Sequence, residues 1–396
     1  MSNLSKKHTK NKLNIRLTVK KTEEMMDEKN TNYLNRTLKK IDPTMAKIFM
    51  PWILKHPKSM YKMIRLAKAY RKSRKIRAEE LLKGLKVPPF LILSITSNCN
   101  LKCAGCYAAA TGTLCNEKYR NSLDSEQWIK IIQEARELGV FAFIIAGGEP
   151  FLMPNLLKIS EEFKDRLFLI FTNGTIIKNQ DIEKLKQLRN TIIMVSIEGD
   201  QDLTDNRRGL GVYEKVIKTI NELDSKGIIS GISVTINRNN VKFWMEPENI
   251  DQLIVKGVRL AFFLEYIPVD NDTELMLTPE ENKEFRKRVL EYRENKQIFL
   301  VHSPGDEEYM GGCVSAGRGF AHVTPLGDLT PCPVSNIATH NLTKNSLREG
   351  LDSELFKIIR ENEHLLETNG SPCALFSHSE EVNALIKKIK AYKTSV

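Results

Sequence analysis

Three thiols stand within eight residues of this chain: Cys99, Cys103 and Cys106, in a C-x3-C-x2-C spacing. They follow the apolar run Phe90-Leu-Ile-Leu-Ser-Ile95, which reads as a short buried strand, so the cysteines fall in the loop at its C-terminal end. Zinc sites usually complete four ligands with a second pair of residues, and none lies close by. An iron–sulfur cluster takes one thiolate per iron, so three cysteines leave one iron of a four-iron cube without a protein ligand. Such an iron can bind a small molecule, which makes the site chemical rather than purely structural. Tyr107 follows the third cysteine, and Cys115 lies nine residues after it on the same loop, as a hydrogen-donor thiol or an idle one.

A second set of thiols lies in the C-terminal part. Cys313 and Cys332 flank Gly327 in a C-x13-G-x4-C arrangement, and Cys373 follows in Ser371-Pro-Cys-Ala374. The stretch from Phe320 to Pro331 reads as a hairpin turning at Gly327-Asp328, which would bring its flanking cysteines together.

The intervening sequence alternates strand and helix patterns. Strands are expected at 90–96, 140–146, 166–172, 191–197, 229–236 and 258–265, and helices at 124–138, 154–164, 179–188, 211–226, 246–256 and 279–293. Asp124 is placed to cap the first of these helices, and Gly139 to stop it. Six such units imply parallel strands with right-handed crossovers, in an open or closed barrel of fewer than eight repeats. In parallel α/β folds the working residues sit at the C-terminal strand ends. The second strand ends in Ala146-Gly-Gly-Glu-Pro150, the third in Phe171-Thr-Asn-Gly174 and the fourth in Ser196-Ile-Glu-Gly199. The fifth ends in Thr235-Ile-Asn237, and Arg207-Arg-Gly209 lies between the fourth strand and its helix. Paired glycines let a backbone approach a neighbour closely.

The cysteine spacing, Tyr107, the Gly147-Gly-Glu-Pro150 turn and the T-N-G turn together resemble the radical S-adenosylmethionine (SAM) enzymes. The resemblance covers roughly residues 88–300 and implies a partial (β/α)6 TIM-like barrel. It implies that Cys99, Cys103 and Cys106 hold a [4Fe–4S] cluster whose unique iron binds the amino and carboxylate groups of SAM. Reduction then yields a 5′-deoxyadenosyl radical that abstracts hydrogen from a substrate. By the same likeness Tyr107 lies near the adenine, while Gly147, Gly148 and Glu149 hold the amino group. Ser196, Glu198, Arg208 and Asn237 become candidates for the carboxylate, ribose or methionine part of SAM, Arg208 through a bidentate guanidinium. An electron donor such as flavodoxin or ferredoxin is the implied partner. The tail is similar to the SPASM and twitch extensions of these enzymes. Cys313, Cys332 and Cys373 would then hold one auxiliary [4Fe–4S] cluster, its fourth iron open or bound by Asp328, His322 or His378. The full SPASM pattern of seven cysteines is not present.

The net charge of +11 is unevenly placed: residues 1–85 hold 23 Lys and Arg against 7 Asp and Glu, the remainder 37 against 42. The basic character therefore belongs to an extension over 1–86, ahead of the barrel at 87–300 and the auxiliary region at 301–396. Residues 1–40 read as a polar arm, and 45–54 as an apolar piece broken by Pro51 that includes Phe49 and Trp52. Ser59 could cap a helix running to about Leu85, with Met60, Met63, Ile64 and Ala67 on its apolar face. That face either packs on the barrel or meets an anionic membrane, and nucleic acid ranks last for want of interleaved aromatic residues. No run of 18 apolar residues and no leader pattern appear, so a cytosolic protein is expected, at most peripheral to the inner membrane face. Seven cysteines in such a compartment favour metal ligation over disulfides. The substrate is left open among a peptide, a biosynthetic intermediate and a membrane lipid, and a non-catalytic electron carrier is the rival outside the enzymes.

Overall fold

The computed structural model describes residues 48, 52, 58–114, 122–268, 272–368 and 370–394. The N-terminal arm, Phe49 and Cys115 lie outside the described residues. Helix α1 (Lys58–Leu82) precedes strand β1 (Phe90–Ser94). Then come α2 (Tyr107–Ala110), α3 (Ser125–Glu137), β2 (Ala142–Ala146), α4 (Leu156–Glu162), β3 (Leu167–Thr172), α5 (Asn179–Gln187) and β4 (Thr191–Ser196). The barrel continues with α6 (Gln201–Arg208), α7 (Val212–Ser225), β5 (Ser230–Ile236), α8 (Val241–Met245), α9 (Pro247–Val255), β6 (Val258–Glu265), α10 (Pro279–Asn295) and β7 (Phe299–Ser303).

Strands β1 to β7 lie side by side in chain order, every neighbouring pair parallel. The register sets Leu91 opposite Phe143, Phe143 opposite Phe168 and Ile170 opposite Ile193. These residues, with Trp128, Ile132, Val216, Ile220 and Phe285 of the helices, form the outer core layer. The alternate residues form a second layer, with Leu169, Met194 and Leu260 buried and Ile144, Phe171 and Phe262 against them. Both faces of the sheet are thus covered, which is why the strands read as unbroken apolar runs.

All six expected strands and all six expected helices of the barrel are present, and Asp124 forms a capping box with Gln127. A seventh parallel strand, β7, adds to the six, and the boundary drawn at residue 300 falls inside it. Helix α6 was not expected: its sequence Gln-Asp-Leu-Thr-Asp-Asn-Arg-Arg buries only Thr204 and so carries no apolar period. Asp200 starts it by accepting from the Leu203 N–H at 2.9 Å.

The C-terminal part is built onto the other sheet edge. Strand β8 (Phe320–Val323) pairs parallel with β1, and β9 (Asp328–Thr330) folds back on it, with the turn at Thr324–Gly327. Gly327 has φ +90°, the left-handed conformation such a turn asks of its last residue. Further short elements follow: β10 (Ile337–Ala338), β11 (His340–Asn341), α11 (Leu347–Leu351), α12 (Glu354–Glu361), α13 (Ala374–Ser377), α14 (Ser379–Lys388) and β12 (Tyr392–Lys393).

Helix α1 docks on the barrel by a face different from the expected one. Ile64 is 50% exposed and Ala67 is exposed, whereas Ala69, Ser73 and Glu80 are buried. The contact is polar and aimed at backbone. Arg77 donates to the Gly139 carbonyl at 2.6 Å, and a Cβ on Gly139 would sit 2.7 Å from the Ser73 carbonyl. Tyr70 meets Phe141 edge-on at 5.2 Å, and Arg348 pairs with Glu80 at 2.6 Å. Met63 turns the other way and packs with Ile48 and Trp52 into the inner layer of the sheet. The residues read as a membrane-facing patch at Met63 and Trp52 are therefore occupied by the barrel. None of the described helices is long and apolar enough to cross a membrane.

Candidate active site

The loop after β1 is stitched to the turn after β2. The Gly148 N–H donates to the Thr96 carbonyl at 2.8 Å, and the Glu149 N–H to the Asn98 carbonyl at 2.7 Å. This contact has no room for side chains. A Cβ on Gly148 would fall 2.0 Å from the Asn98 oxygen, and one on Gly147, at φ +116°, would fall 2.6 Å from the Thr96 oxygen. The close approach that the two glycines permit is thus first of all to the cysteine loop itself.

Glu149 is fully buried, and its carboxylate is used within the protein. It accepts from the Thr172 hydroxyl at 2.7 Å, the Asn173 N–H at 2.7 Å and the Phe151 N–H at 3.1 Å. Burial pushes its pKa up, and these three donors oppose the shift. Asn173 in turn donates to Asn100 at 2.8 Å, so the T-N-G turn, the G-G-E-P turn and the cysteine loop form one connected unit.

Cys99, Cys103 and Cys106 are free and half-buried on this support, with Cys106 at the N-cap of α2. Burial raises Cys99 to about 11, helped by Glu149 and by the other two thiols. Burial also raises Cys103, but Arg208 and Arg207 pull it back down. The three thiols therefore sense one another electrostatically beside two guanidinium groups.

Those guanidinium groups converge on Glu198, which is 1% exposed at the end of β4. Its Oε1 accepts from Arg207 at 2.5 Å and from Arg208 at 2.6 and 2.8 Å, while its backbone carbonyl accepts from Asn240 and Trp244 at 3.0 Å. Arg207 also reaches back to the cysteine loop: its side chain donates to the Gly105 carbonyl at 3.3 Å, and its carbonyl accepts from the Ala104 N–H at 2.9 Å. Helix α6 thus fixes the cysteine loop from the far side of the strand ends. Burial would lower the Arg208 pKa, but the Glu198 carboxylate beside it holds the guanidinium above its ordinary value.

Ser196 stands partly exposed at the end of β4, and the Asn237 side-chain oxygen closes a turn onto the Asn239 N–H at 2.9 Å. Tyr107 opens α2, its hydroxyl pKa raised by burial and by Cys106. Sequence reasoning missed Tyr266, just past β6, whose ring would be 2.9 Å from a Cβ on Gly105 and so covers the cysteine loop. It also missed Asn240 and Trp244, which hold Glu198 from α8 and its cap. Their only signal was position after a strand end.

Among the described residues no three ligating side chains gather tightly enough for a single metal ion. The donor set fits a cluster that takes one thiolate per iron: three free thiols with no disulfide partner, held in one loop and flanked by cationic groups. The sequence profile of the radical SAM superfamily matches residues 93–257, which span this loop, the two turns and Glu198. This stretch of the chain is a radical SAM domain. Among curated relatives, the Fe-coproporphyrin III synthase of Methanosarcina barkeri is 30% identical over 176 residues, 43% of this chain and 43% of that protein. The AdoMet-dependent heme synthase of the same organism is 24% identical over 306 residues, 70% of this chain and 86% of that protein. The chain therefore spans less than half the length of the first relative. Among solved structures, Streptococcus suis SuiB bound to its precursor peptide SuiA superposes with a TM-score of 0.60 at 21% identity, over 73% of this chain and 71% of that one. At that identity the likeness concerns the fold.

Beyond the region matched to the superfamily, Cys313, Cys332 and Cys373 are all buried and free. Burial raises Cys313 to about 12 and Cys373 to about 11, and Cys332 well above the ordinary thiol value. Cys332 is affected by both other thiols, so the three lie together although up to 60 positions apart in sequence. The residues named as fourth ligands are placed differently. His322 is committed at both ring nitrogens, to Ser94 Oγ at 2.8 Å and Thr330 Oγ1 at 2.7 Å, and burial lowers its pKa to about 3. Asp328 accepts from Asn341 at 2.9 Å and Tyr392 at 2.6 Å. His378 leaves its buried Nε2 without a hydrogen-bond partner, its ring against that of His364 at 4.4 Å.

Proposed function

We propose that this chain is a radical SAM enzyme that cleaves SAM reductively and removes a hydrogen atom from a peptide or a biosynthetic intermediate. The observation that carries this reading is the set of three mutually sensing thiols beside Arg208 and Glu198 at the C-terminal ends of the parallel strands. Cys99, Cys103 and Cys106 would hold a [4Fe–4S] cluster, which supplies the electron that splits SAM into methionine and a 5′-deoxyadenosyl radical. The chain's part is to orient and to exclude water. Gly147 and Gly148 lock the cysteine loop to β2, Glu149 locks it to β3, and Arg207 locks it to α6. Ser196 and Asn237 sit at neighbouring strand ends, with Arg208 at the end of α6 beside Glu198, where the carboxylate and ribose of SAM would be received, and Tyr107 and Tyr266 offer ring surface. The 301–396 region covers the sheet edge beside β1 and would hold one auxiliary [4Fe–4S] cluster on Cys313, Cys332 and Cys373. A flavodoxin- or ferredoxin-type donor would supply the electron.

The test is anaerobic reconstitution with iron and sulfide, reduction, addition of SAM, and chromatography for 5′-deoxyadenosine. Formation of this product by the wild-type chain and its loss in Cys103→Ala are expected. A reconstituted chain that binds iron yet leaves SAM intact would favour the electron-carrier reading. Of the patch that suggested action on a membrane lipid, Met63 and Trp52 pack against the barrel while Ile64 stays exposed, so less apolar surface is left for that reading.

A further inference from the structure

We propose that the open face of α1 is a docking surface for an anionic lipid bilayer, a contact that is independent of the radical chemistry and of the apolar patch considered above.

Helix α1 sits on the barrel by the side that carries Ala69, Ser73 and Glu80, with Arg77 bonded to the Gly139 carbonyl at 2.6 Å. The opposite side is open. Arg65, Lys68, Arg71, Lys72, Arg74 and Lys75 are all exposed there, and Glu79 is the one acid among them. Their spacing crowds like charges. Lys68 and Lys72 stand four positions apart, as do Arg71 and Lys75, and at that distance helix neighbours repel. A charged helix that only faces water gains from opposite signs at this spacing. On this face the one ion pair among the described residues is Lys75 with Glu79, at 3.8 Å. The repulsion is relieved once an anionic partner lies against the stripe.

The shape of the stripe selects the partner. Two apolar side chains bracket it, Ile64 at 50% exposure and Leu82 at 42%. They are 18 positions apart, about five turns, so they project along one line about 27 Å long, with Lys68, Arg71 and Lys75 between them. A long straight row of cations with an apolar side chain at each end matches a flat surface. The basic groups meet lipid phosphates, while Ile64 and Leu82 enter the boundary beneath them. Nucleic acid fits less well, because Tyr70 is engaged with Phe141 and the open face offers no described aromatic ring to stack on bases. Residues 86–396 hold 37 Lys and Arg against 42 Asp and Glu, so the positive field stays at the N-terminal part and orients the molecule. Helix α1 meets the barrel at Gly139 and Phe141, just ahead of β2 and away from the cysteine loop at the other strand ends. Attachment therefore leaves the candidate active site clear.

The test is co-sedimentation of the full chain with vesicles of phosphatidylglycerol and phosphatidylcholine in equal parts, beside vesicles of phosphatidylcholine alone. Binding to the anionic vesicles at low salt is expected, with little binding to the neutral ones and release at about 1 M salt, where the Debye length is about 3 Å. Each basic residue at such a surface is worth about fivefold in partition. A variant carrying Lys68→Gln, Arg71→Gln, Lys72→Gln and Lys75→Gln should therefore bind several hundredfold more weakly, on the order of fivefold per residue. Its melting temperature should not fall, since these side chains are exposed and the change relieves repulsion along the helix. A control carrying Lys215→Gln, Lys218→Gln, Lys283→Gln and Lys287→Gln makes the same change in net charge on exposed positions of α7 and α10, and should bind close to wild type. Ile64→Ser with Leu82→Ser should weaken binding through a part that salt does not screen. A wild-type chain that stays in the supernatant with anionic vesicles at low salt would overturn the proposal. So would equal binding by the α1 variant and the wild type, or equal loss in the α1 variant and the control. Binding of a duplex oligonucleotide or of polyglutamate in place of the vesicles would assign the stripe to another polyanion and overturn it as well.

Discussion

Replacing Glu198 with Gln probes the connection between α6 and the cysteine loop. The carboxylate is 1% exposed, and its partners Arg207 and Arg208 have side chains only 13% and 10% exposed. Solvent screening is therefore slight, and the substitution leaves two enclosed guanidinium groups without their anion. Breaking a buried pair in this way costs about 3–5 kcal/mol. At roughly 2–4 °C per kcal/mol for a domain of this size, the apoprotein melt should drop by about 6 °C or more. The loop should register the change as well. Glu198 raises the Cys103 pKa while Arg208 and Arg207 lower it, so loss of the carboxylate leaves the lowering influence in excess. More of Cys103 is then thiolate at a given pH, and its alkylation by iodoacetamide, followed by peptide mapping at pH 8, should quicken relative to wild type. An unchanged melting temperature with unchanged Cys103 alkylation would refute the reasoning, since it would mean that both arginines find solvent and that Glu198 does not organise the site.

Other expectations concern the supports of the two sites. Gly148→Ala places a methyl 2.0 Å from the Asn98 oxygen, so stability should fall by about 1–3 kcal/mol or more, and iron loading at Cys99, Cys103 and Cys106 should fall with it, read by denaturant midpoint and iron assay. His322 is held neutral, its pKa near 3 against 6.5 in an unfolded chain. As pH falls through that window only the unfolded state takes the proton, so stability declines by roughly 1.4 kcal/mol per pH unit, about 2 kcal/mol between pH 6.5 and 5. Urea titrations at pH 7.5 and 5 should show this decline in wild type and a flatter one in His322→Gln. Trp52→Ala removes a ring buried against the inner face of the sheet and should cost about 3–5 kcal/mol of unfolding free energy by urea titration. A negligible loss would mean that Trp52 is not part of the barrel's packing.

The sequence by itself determined what is local. The spacing of Cys99, Cys103 and Cys106, the apolar runs of β1 to β6, the Asp124 cap and a hairpin near Gly327 are each written in a few adjacent residues, although the turn lies at Thr324–Gly327 and not at the expected Gly327-Asp328. Two glycines before Glu149 were legible as a close approach, but not what they approach. Only the tertiary structure decided that the near neighbour is the Asn98 backbone, that the Glu149 carboxylate is taken up by Thr172 and Asn173, and that Glu198 binds both arginines of α6. It also decided which face of α1 is buried, because Arg77 and Glu80 find carbonyl and guanidinium partners at Gly139 and Arg348 that no helical periodicity can announce. The contact of Arg207 with Gly105 crosses 102 positions, and that of His322 with Ser94 crosses 228. Such pairings depend on the path of the whole chain through the sheet, so no stretch of sequence carries them alone.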